Sequence, residues 1–259
     1  MAKDYPTVLY DVDGVVARIT LNRPEKRNAL NEELIAGLKE ALRRANDEED
    51  VRVVVVSGAG DDFCSGADLA ALQKVASATI AENLEDARSL MELFMLIREL
   101  RMPVIAAVRG RALAGGFGLA LACDMVLAGR SAQFGFPEVR IGFVPAMVMA
   151  ILRRNTSEKR AFELLTLGTE IGADEAAAFG LVNRVLDDEA FDDEVDVFAR
   201  QLERVSGSAV SLSKRLFYAG DAMTFNDALE CGVDINVLAR MSKDCQEGVK
   251  RFLDKQTKS

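Results

Sequence analysis

The sequence predicts an α/β chain of repeated strand–strand–helix units followed by a C-terminal helical subdomain. Two short runs, Val51–Val56 and Val104–Val108, have the length and apolar content of strands buried on both faces. Between and after them, apolar residues recur at helical spacing. The stretches Val53–Leu69 and Val104–Leu121 also share one plan: an apolar strand, a glycine, then small residues opening a helix. Their offset of about 50 residues points to a repeated unit. Near residue 200 the mixed pattern gives way to helix alone. This divides the chain into a core over 1–200 and a helical subdomain over 201–259.

The elements follow in order. Val8–Tyr10 and Val15–Leu21 read as two strands around Asp13-Gly14, a hairpin turn pair. Asn31 is placed to N-cap a helix whose apolar face is Leu34, Leu38, Ala41 and Leu42. After Val51–Val56 the chain turns through Gly58–Gly66 into a helix near Ala67–Val75. Ile80–Leu100 carries Leu84, Ala87, Leu90, Met91, Phe94 and Ile97 at helical spacing, and Pro103 bounds it. Val104–Val108 leads through the glycine-rich turn Arg109–Gly118 into a helix-like run, Leu119–Cys123. Met125–Ala128 and Ala132–Phe134 look like short strands. Helical patterns dominate from Ala146, interrupted at Leu181–Leu186.

Composition narrows the chemistry. An apolar content of 49% supports a sizeable core, and a net charge of −9 argues against nucleic acid or an anionic membrane surface as a partner. No apolar run has the length of a membrane span, and Met1–Pro6 lacks a signal-peptide core. Four cysteines without C-x-x-C spacing fit reduced thiols, so a cytoplasmic protein is expected. There is no histidine, which removes Ser-His-Asp triads, Cys-His pairs and histidine zinc sites. General acid–base chemistry then falls to carboxylates, Lys, Tyr or Cys.

Two turns stand out. Ser65-Gly66-Ala67 and Ala114-Gly115-Gly116 each open a helix with small residues. If they face each other, the N–H groups of Ala67 and Gly115 converge as an oxyanion hole. Close helix–strand packing is the other use of small residues there. Gly58–Phe63 mimics a dinucleotide fingerprint, but Phe63 replaces the third glycine, and Asp61 and Asp62 would repel a pyrophosphate. Glu138 follows Pro137 among Phe134, Phe136 and Phe143, where desolvation would raise its pKa; a dipole-favoured helix start is the alternative. Asp68 and Asp124 suit capping or internal ion pairing, and Lys250, Arg251, Lys255 and Lys258 suit a solvated helix end.

Taken together these residues resemble the crotonase family, the enoyl-CoA hydratase/isomerase superfamily. Leu21–Pro24 with Asn28–Leu30 is similar to its N-terminal signature, Phe63–Leu69 to its first oxyanion turn and Gly110–Gly116 to its second. Ala122–Asp124, Phe134–Glu138, Ala173–Ala176 and Gly180–Val182 follow in the family's order. The resemblance implies a spiral of strand–strand–helix units and a homotrimer or homohexamer, built as a dimer of trimers. It implies an acyl-CoA thioester as substrate, with Ala67 and Gly115 donating to the thioester oxygen. Coenzyme A contacts are implied at Arg27, Ala29, Asp68, Leu69 and Lys255. No metal and no separate cofactor are expected, because coenzyme A is part of the substrate.

The sequence departs from the family's hydratases at one position. They carry two glutamates; one matches Glu138 and the other falls at Gly118. Val144–Val148 also replaces a glycine-rich segment, and bulky Met147 and Val148 should reshape the acyl pocket. One carboxylate suits double-bond isomerisation, taking a proton from C2 and returning it to C4. Hydration would require Glu138 to hold the water alone, unless Glu85, Asp86 or Glu92 substitutes. A non-catalytic acyl-CoA-binding or scaffold protein is the reading from another class. On this reasoning Gly118→Glu is expected to raise hydration of crotonyl-CoA.

Overall fold

The computed structural model describes residues 5–68, 70, 73–74 and 77–256, with the side chains of 255 and 256 left aside. A hairpin of β1 (Val8–Asp13) and β2 (Val16–Leu21) opens the chain, and α1 (Glu32–Asp47) follows. β3 (Val53–Gly58), α2 (Ile80–Glu99) and β4 (Val104–Val108) come next. β5 (Arg111–Leu113), α3 (Gly115–Ala122), β6 (Met125–Gly129) and β7 (Gln133–Gly135) complete the central region. After α4 (Ala146–Asn155) and α5 (Glu158–Leu167), two short strands, β8 (Glu170–Gly172) and β9 (Arg184–Leu186), flank α6 (Ala173–Ala178). The chain ends in α7 (Phe191–Ala199), α8 (Gly207–Ala219), α9 (Phe225–Met241) and α10 (Lys243–Gln256).

The larger sheet has the order β1-β2-β3-β4-β6-β9, parallel throughout except for the hairpin. Side chains alternate across a strand, so each valine run serves both faces. Val54, Val56, Val104, Ala106 and Val108 join the main core, while Val53, Val55, Ile105 and Ala107 pack on the opposite face with Phe191 and Val195 of α7. A smaller sheet, β5-β7-β8, aligns Ala112, Phe134 and Ile171, all buried.

Helix ends obey local rules. Asn31 caps α1, its side chain accepting from the Leu34 N–H at 2.9 Å, and Leu34, Leu38, Ala41 and Leu42 are buried as the periodicity predicts. Thr79 and Glu82 form a capping box at α2. α2 departs from expectation along its length. Leu84 and Met91 are 47% and 42% exposed, and the buried residues are Leu93, Phe94 and Ile97. Only the C-terminal half of this helix has the core beneath it. The helix expected near Ala67–Val75 falls largely on residues outside those described; Ala67 itself forms a bridge to Leu30 instead.

α8 is fastened by one buried lysine. Lys214 Nζ donates to Asp124 Oδ2 at 2.7 Å and to the carbonyls of Ile97 (2.8 Å) and Met102 (2.9 Å). Asp124 also accepts from Tyr218 Oη and from the Val104 N–H. Asp124 is therefore an internal ion-pair partner, as the sequence suggested. Desolvation pulls the Lys214 pKa down, and Asp124 opposes that shift. Removing one member leaves the other charged and unpaired in the interior. Lys214→Ala is accordingly expected to lower the unfolding free energy by about 3–5 kcal/mol, measured by denaturant titration.

Candidate functional site

The site begins with a buried asparagine. Asn28 is fully buried at φ +52°, a left-handed conformation that asparagine tolerates. Its amide donates to the carbonyls of Ala59 (2.9 Å) and Asp62 (2.7 Å), and its oxygen accepts from the Arg23 N–H (2.9 Å). That ties the loop after β3 to the segment after β2. Leu30 then bridges in parallel to Ala67: its N–H donates to the Gly66 carbonyl (2.7 Å), and its carbonyl accepts from the Asp68 N–H (3.0 Å). In a parallel bridge both bonds go to the neighbours of the facing residue. The Ala67 N–H is left without an acceptor among the described residues, and Ala67 is exposed.

The second turn lies directly beside the first. Cys64 donates to the Arg111 carbonyl (3.0 Å) and accepts from Leu113 N–H (3.0 Å), a parallel bridge between Cys64 and Ala112. Gly66 has φ +97°, and a Cβ there would lie 2.8 Å from Ala114 Cβ and 3.7 Å from the Gly115 nitrogen. Only glycine permits this approach. No side chain caps α3, so the N–H of its first residue, Gly115, has neither an intrahelical partner nor a cap. Ala114, just before it, sits at φ +50°, ψ −123°, a conformation that costs of order 1–3 kcal/mol in a non-glycine residue. Two unclaimed N–H groups thus stand in adjoining turns, one of them at the positive end of a helix.

Strand register brings the segment just before Glu138 alongside the second turn. Leu113 pairs with Gly135, and the Ala114 N–H donates to the Gly135 carbonyl at 2.8 Å. Phe136 stacks on Phe117 of α3 at 5.0 Å between ring centroids, and Phe117 also meets Phe134 at 5.0 Å. Glu138 then lies in the 3-10 turn Pro137–Ile141, half-buried. Its Oε2 is buried without a hydrogen-bond partner. Burial raises the Glu138 pKa, offset in part by its own backbone N–H. Phe134 and Phe136 are fully buried, but Phe143, counted with them from sequence, is 39% exposed.

Other residues singled out from sequence are distributed unevenly. Arg27, Ala29, Ala67 and Asp68 are brought together: the Arg27 carbonyl accepts from Ser65 N–H (3.0 Å), and the Ala29 carbonyl accepts from Arg23 Nη1. Asp68 is buried and paired with Arg23 Nη2 at 2.8 Å, and it accepts from the Ala70 N–H. Its pKa is held down, first by the Arg23 hydrogen bond. Leu69 lies outside the described residues. Lys255 falls within α10, its side chain outside the description. Arg23 was missed as a functional support, although Asp68 and the buried Asn28 both depend on it.

Gly118 shows what occupies the place of a second carboxylate. A Cβ at this position would lie 2.5 Å from Val148 Cγ2 and 3.2 Å from Phe94 Cζ. A glutamate at 118 would therefore press on Val148 and Phe94, a contact that the expectation for Gly118→Glu did not include. Glu92 is paired with Lys39 at 2.9 Å, and Glu85 and Asp86 are exposed on α2. Among the described residues, no three His, Cys, Asp or Glu side chains are grouped to hold a metal ion. No described helix is long and apolar enough to cross a membrane.

Comparison with known proteins adds the following. The family model described as "Enoyl-CoA hydratase/isomerase" matches residues 11–259. A crotonyl-CoA hydratase from Syntrophomonas wolfei is 34% identical over 253 residues, 97% of this chain and 96% of its own. The 1,2-epoxyphenylacetyl-CoA isomerase of Escherichia coli (strain K12) is 32% identical over 252 residues, 96% of each chain. The crystal structure of an enoyl-CoA hydratase from Mycobacterium smegmatis superposes with a TM-score of 0.92 at 34% identity, covering 96% of this chain and 97% of that one.

Two outcomes follow from this geometry. Gly118→Ala alone should destabilise the protein by about 1–3 kcal/mol through overpacking against Val148, seen as a lower denaturation midpoint. Glu138→Gln should act oppositely. The folded-state pKa of Glu138 is raised, so its contribution to stability is present at acid pH and lost as pH rises through that raised value. The glutamine variant should match the parent at acid pH and be more stable near neutrality in paired thermal scans.

Proposed function

This chain belongs to the enoyl-CoA hydratase/isomerase family, and from that premise we propose that it isomerises 3-enoyl-CoA thioesters to 2-enoyl-CoA thioesters. The N–H groups of Ala67 and Gly115 bind the thioester oxygen. Each such donor contributes roughly 2.7–4 kcal/mol to an oxyanion transition state. Glu138 takes a proton from C2; the electron pair spreads over the dienolate and its oxygen. The same proton returns to C4 as the double bond moves from C3=C4 to C2=C3, so nothing is consumed. A base that shuttles one proton needs no second carboxylate and no separate cofactor.

One observation carries this choice of reaction: Glu138 Oε2 is buried and unpartnered, while the place of a second carboxylate is filled by Val148 and Phe94. A desolvated carboxylate with a raised pKa is suited to take and return a proton near neutral pH. Arg27, Ala29, Asp68, Leu69 and Lys255 remain the proposed coenzyme A contacts. Asp68 would contribute through its backbone, because its side chain is held by Arg23.

The region 201–259 is proposed as the self-association unit, in a homotrimer or homohexamer. Supporting this, Phe225, Leu229, Val233, Val237 and Met241 recur every fourth residue along α9, and each is more than half exposed. Val233→Glu combined with Val237→Glu should lower the assembled mass in light scattering, with the individual chain remaining folded.

The reaction is tested by assaying 3-enoyl-CoA and 2-enoyl-CoA side by side and following C2 proton exchange in D₂O. Glu138→Gln should bind acyl-CoA as the parent does and lose exchange by about 10²–10⁴-fold. Full exchange in that variant would remove Glu138 from the mechanism. Binding by the parent without any exchange would instead mark a non-catalytic acyl-CoA-binding protein. Faster turnover of 2-enoyl-CoA than of 3-enoyl-CoA would favour hydration with Glu138 holding the water.

A further inference from the structure

Gly118 lies three residues after Gly115 on α3, and residues at that spacing share a helix face. A side chain at 118 would therefore project from the same face of α3 as one at 115, in the turn that follows the free Gly115 N–H. That space is taken from two directions. Val148 arrives from α4 and Phe94 from the core-packed half of α2, and both are 4% exposed. Leu93, Ile97, Ile151 and Leu152 belong to the same apolar cluster. A β-branched valine in a helix has essentially one χ1 rotamer, so Val148 yields little.

We infer that Val148 and Phe94 form an apolar stop beside Gly118 that sets the reaction specificity of this site, with Val148 as the determining residue. A bound water needs two to four polar partners, and the hydrocarbon of the stop offers none. Water and any second acid are thereby kept from this side of the enolate, and Glu138 is left as the only proton carrier. The stop also explains the glycine: even a methyl group at 118 overlaps Val148 Cγ2. The inference rests on the enolate reading above and extends it. A side chain at 118 and the branched side chain at 148 compete for one space, so the two positions are structurally coupled.

The test compares the parent with Val148→Ala, Gly118→Glu and the double variant Gly118→Glu/Val148→Gly. Crotonyl-CoA reports hydration, a 3-enoyl-CoA reports isomerisation, C2 exchange in D₂O reports the Glu138 step, and thermal unfolding reports integrity. Val148→Ala should keep C2 exchange and raise the ratio of hydration to isomerisation several-fold. Gly118→Glu alone should melt lower and gain no hydration. The double variant should recover stability relative to Gly118→Glu and gain hydration by roughly 10²-fold, the lower end for a positioned acid–base group. A gain in Gly118→Glu equal to that of the double variant overturns the inference. So does an unchanged ratio in Val148→Ala with exchange intact, and this arm decides the matter if the double variant does not fold. Loss of exchange in the parent is a different result: it removes the enolate reading and the stop's role together.

Discussion

Two turns 49 residues apart, 64–67 and 113–116, meet with backbone against backbone, and the remainder of the site is assembled around that contact. The approach is possible because Gly66 and Gly116 have no side chain to interpose; a Cβ at Gly116 would overlap the Cys64 carbonyl. From this seam, Leu30 is drawn to Ala67 on one side and β7 to β5 on the other. Four separated segments become one strip, and the turn that holds Glu138 follows directly from Gly135, in register with Leu113.

Buried polar groups of this protein are not all treated alike. Several buried polar residues are well satisfied. Asn28 makes three hydrogen bonds, Asp68 pairs with Arg23, Lys39 with Ser89 and Glu92, and Lys214 with Asp124 and two carbonyls. The strip also holds groups that are not satisfied. Ala114 is strained, α3 lacks a cap, and Glu138 holds a buried oxygen without a partner. Each departure costs stability, and together they leave donors and a carboxylate with no partner inside the protein. Such a concentration of unmet groups is what a ligand bearing a carbonyl oxygen and an acidic C–H would satisfy.

The two sides of α3 are dressed differently. Its Phe117 enters a stack with Phe134 and Phe136, which anchors the Glu138 turn. Its Gly118 is met by Val148 and Phe94. Aromatic packing thus brings the carboxylate in, and aliphatic and aromatic packing keeps a second polar group out. The absence of histidine fits the same picture, since a desolvated glutamate supplies a base with a raised pKa from an ordinary side chain.

Much of this was legible in the chain itself because it depends on neighbours in sequence. The valine strands, the Asn31 cap, the hairpin at Asp13-Gly14, the two small-residue turns and the aromatic setting of Glu138 are local patterns, and the motifs around the two turns and Glu138 carried the family resemblance. The sequence also showed that position 118 lacks a carboxylate. It did not show what stands there instead, because Phe94 and Val148 belong to two other helices and reach Gly118 only by packing. For the same reason periodicity overstated the buried face of α2: spacing defines a stripe, but only tertiary contact decides that Leu93, Phe94 and Ile97 are covered while Leu84 and Met91 are not. The Lys214–Asp124 pair, 90 residues apart, has no local signature at all. Sequence determined which groups this protein has for the proposed enolate chemistry; the packing of α2 and α4 against α3 decided what surrounds them, since burial and close approach are properties of the assembled core and not of any one segment.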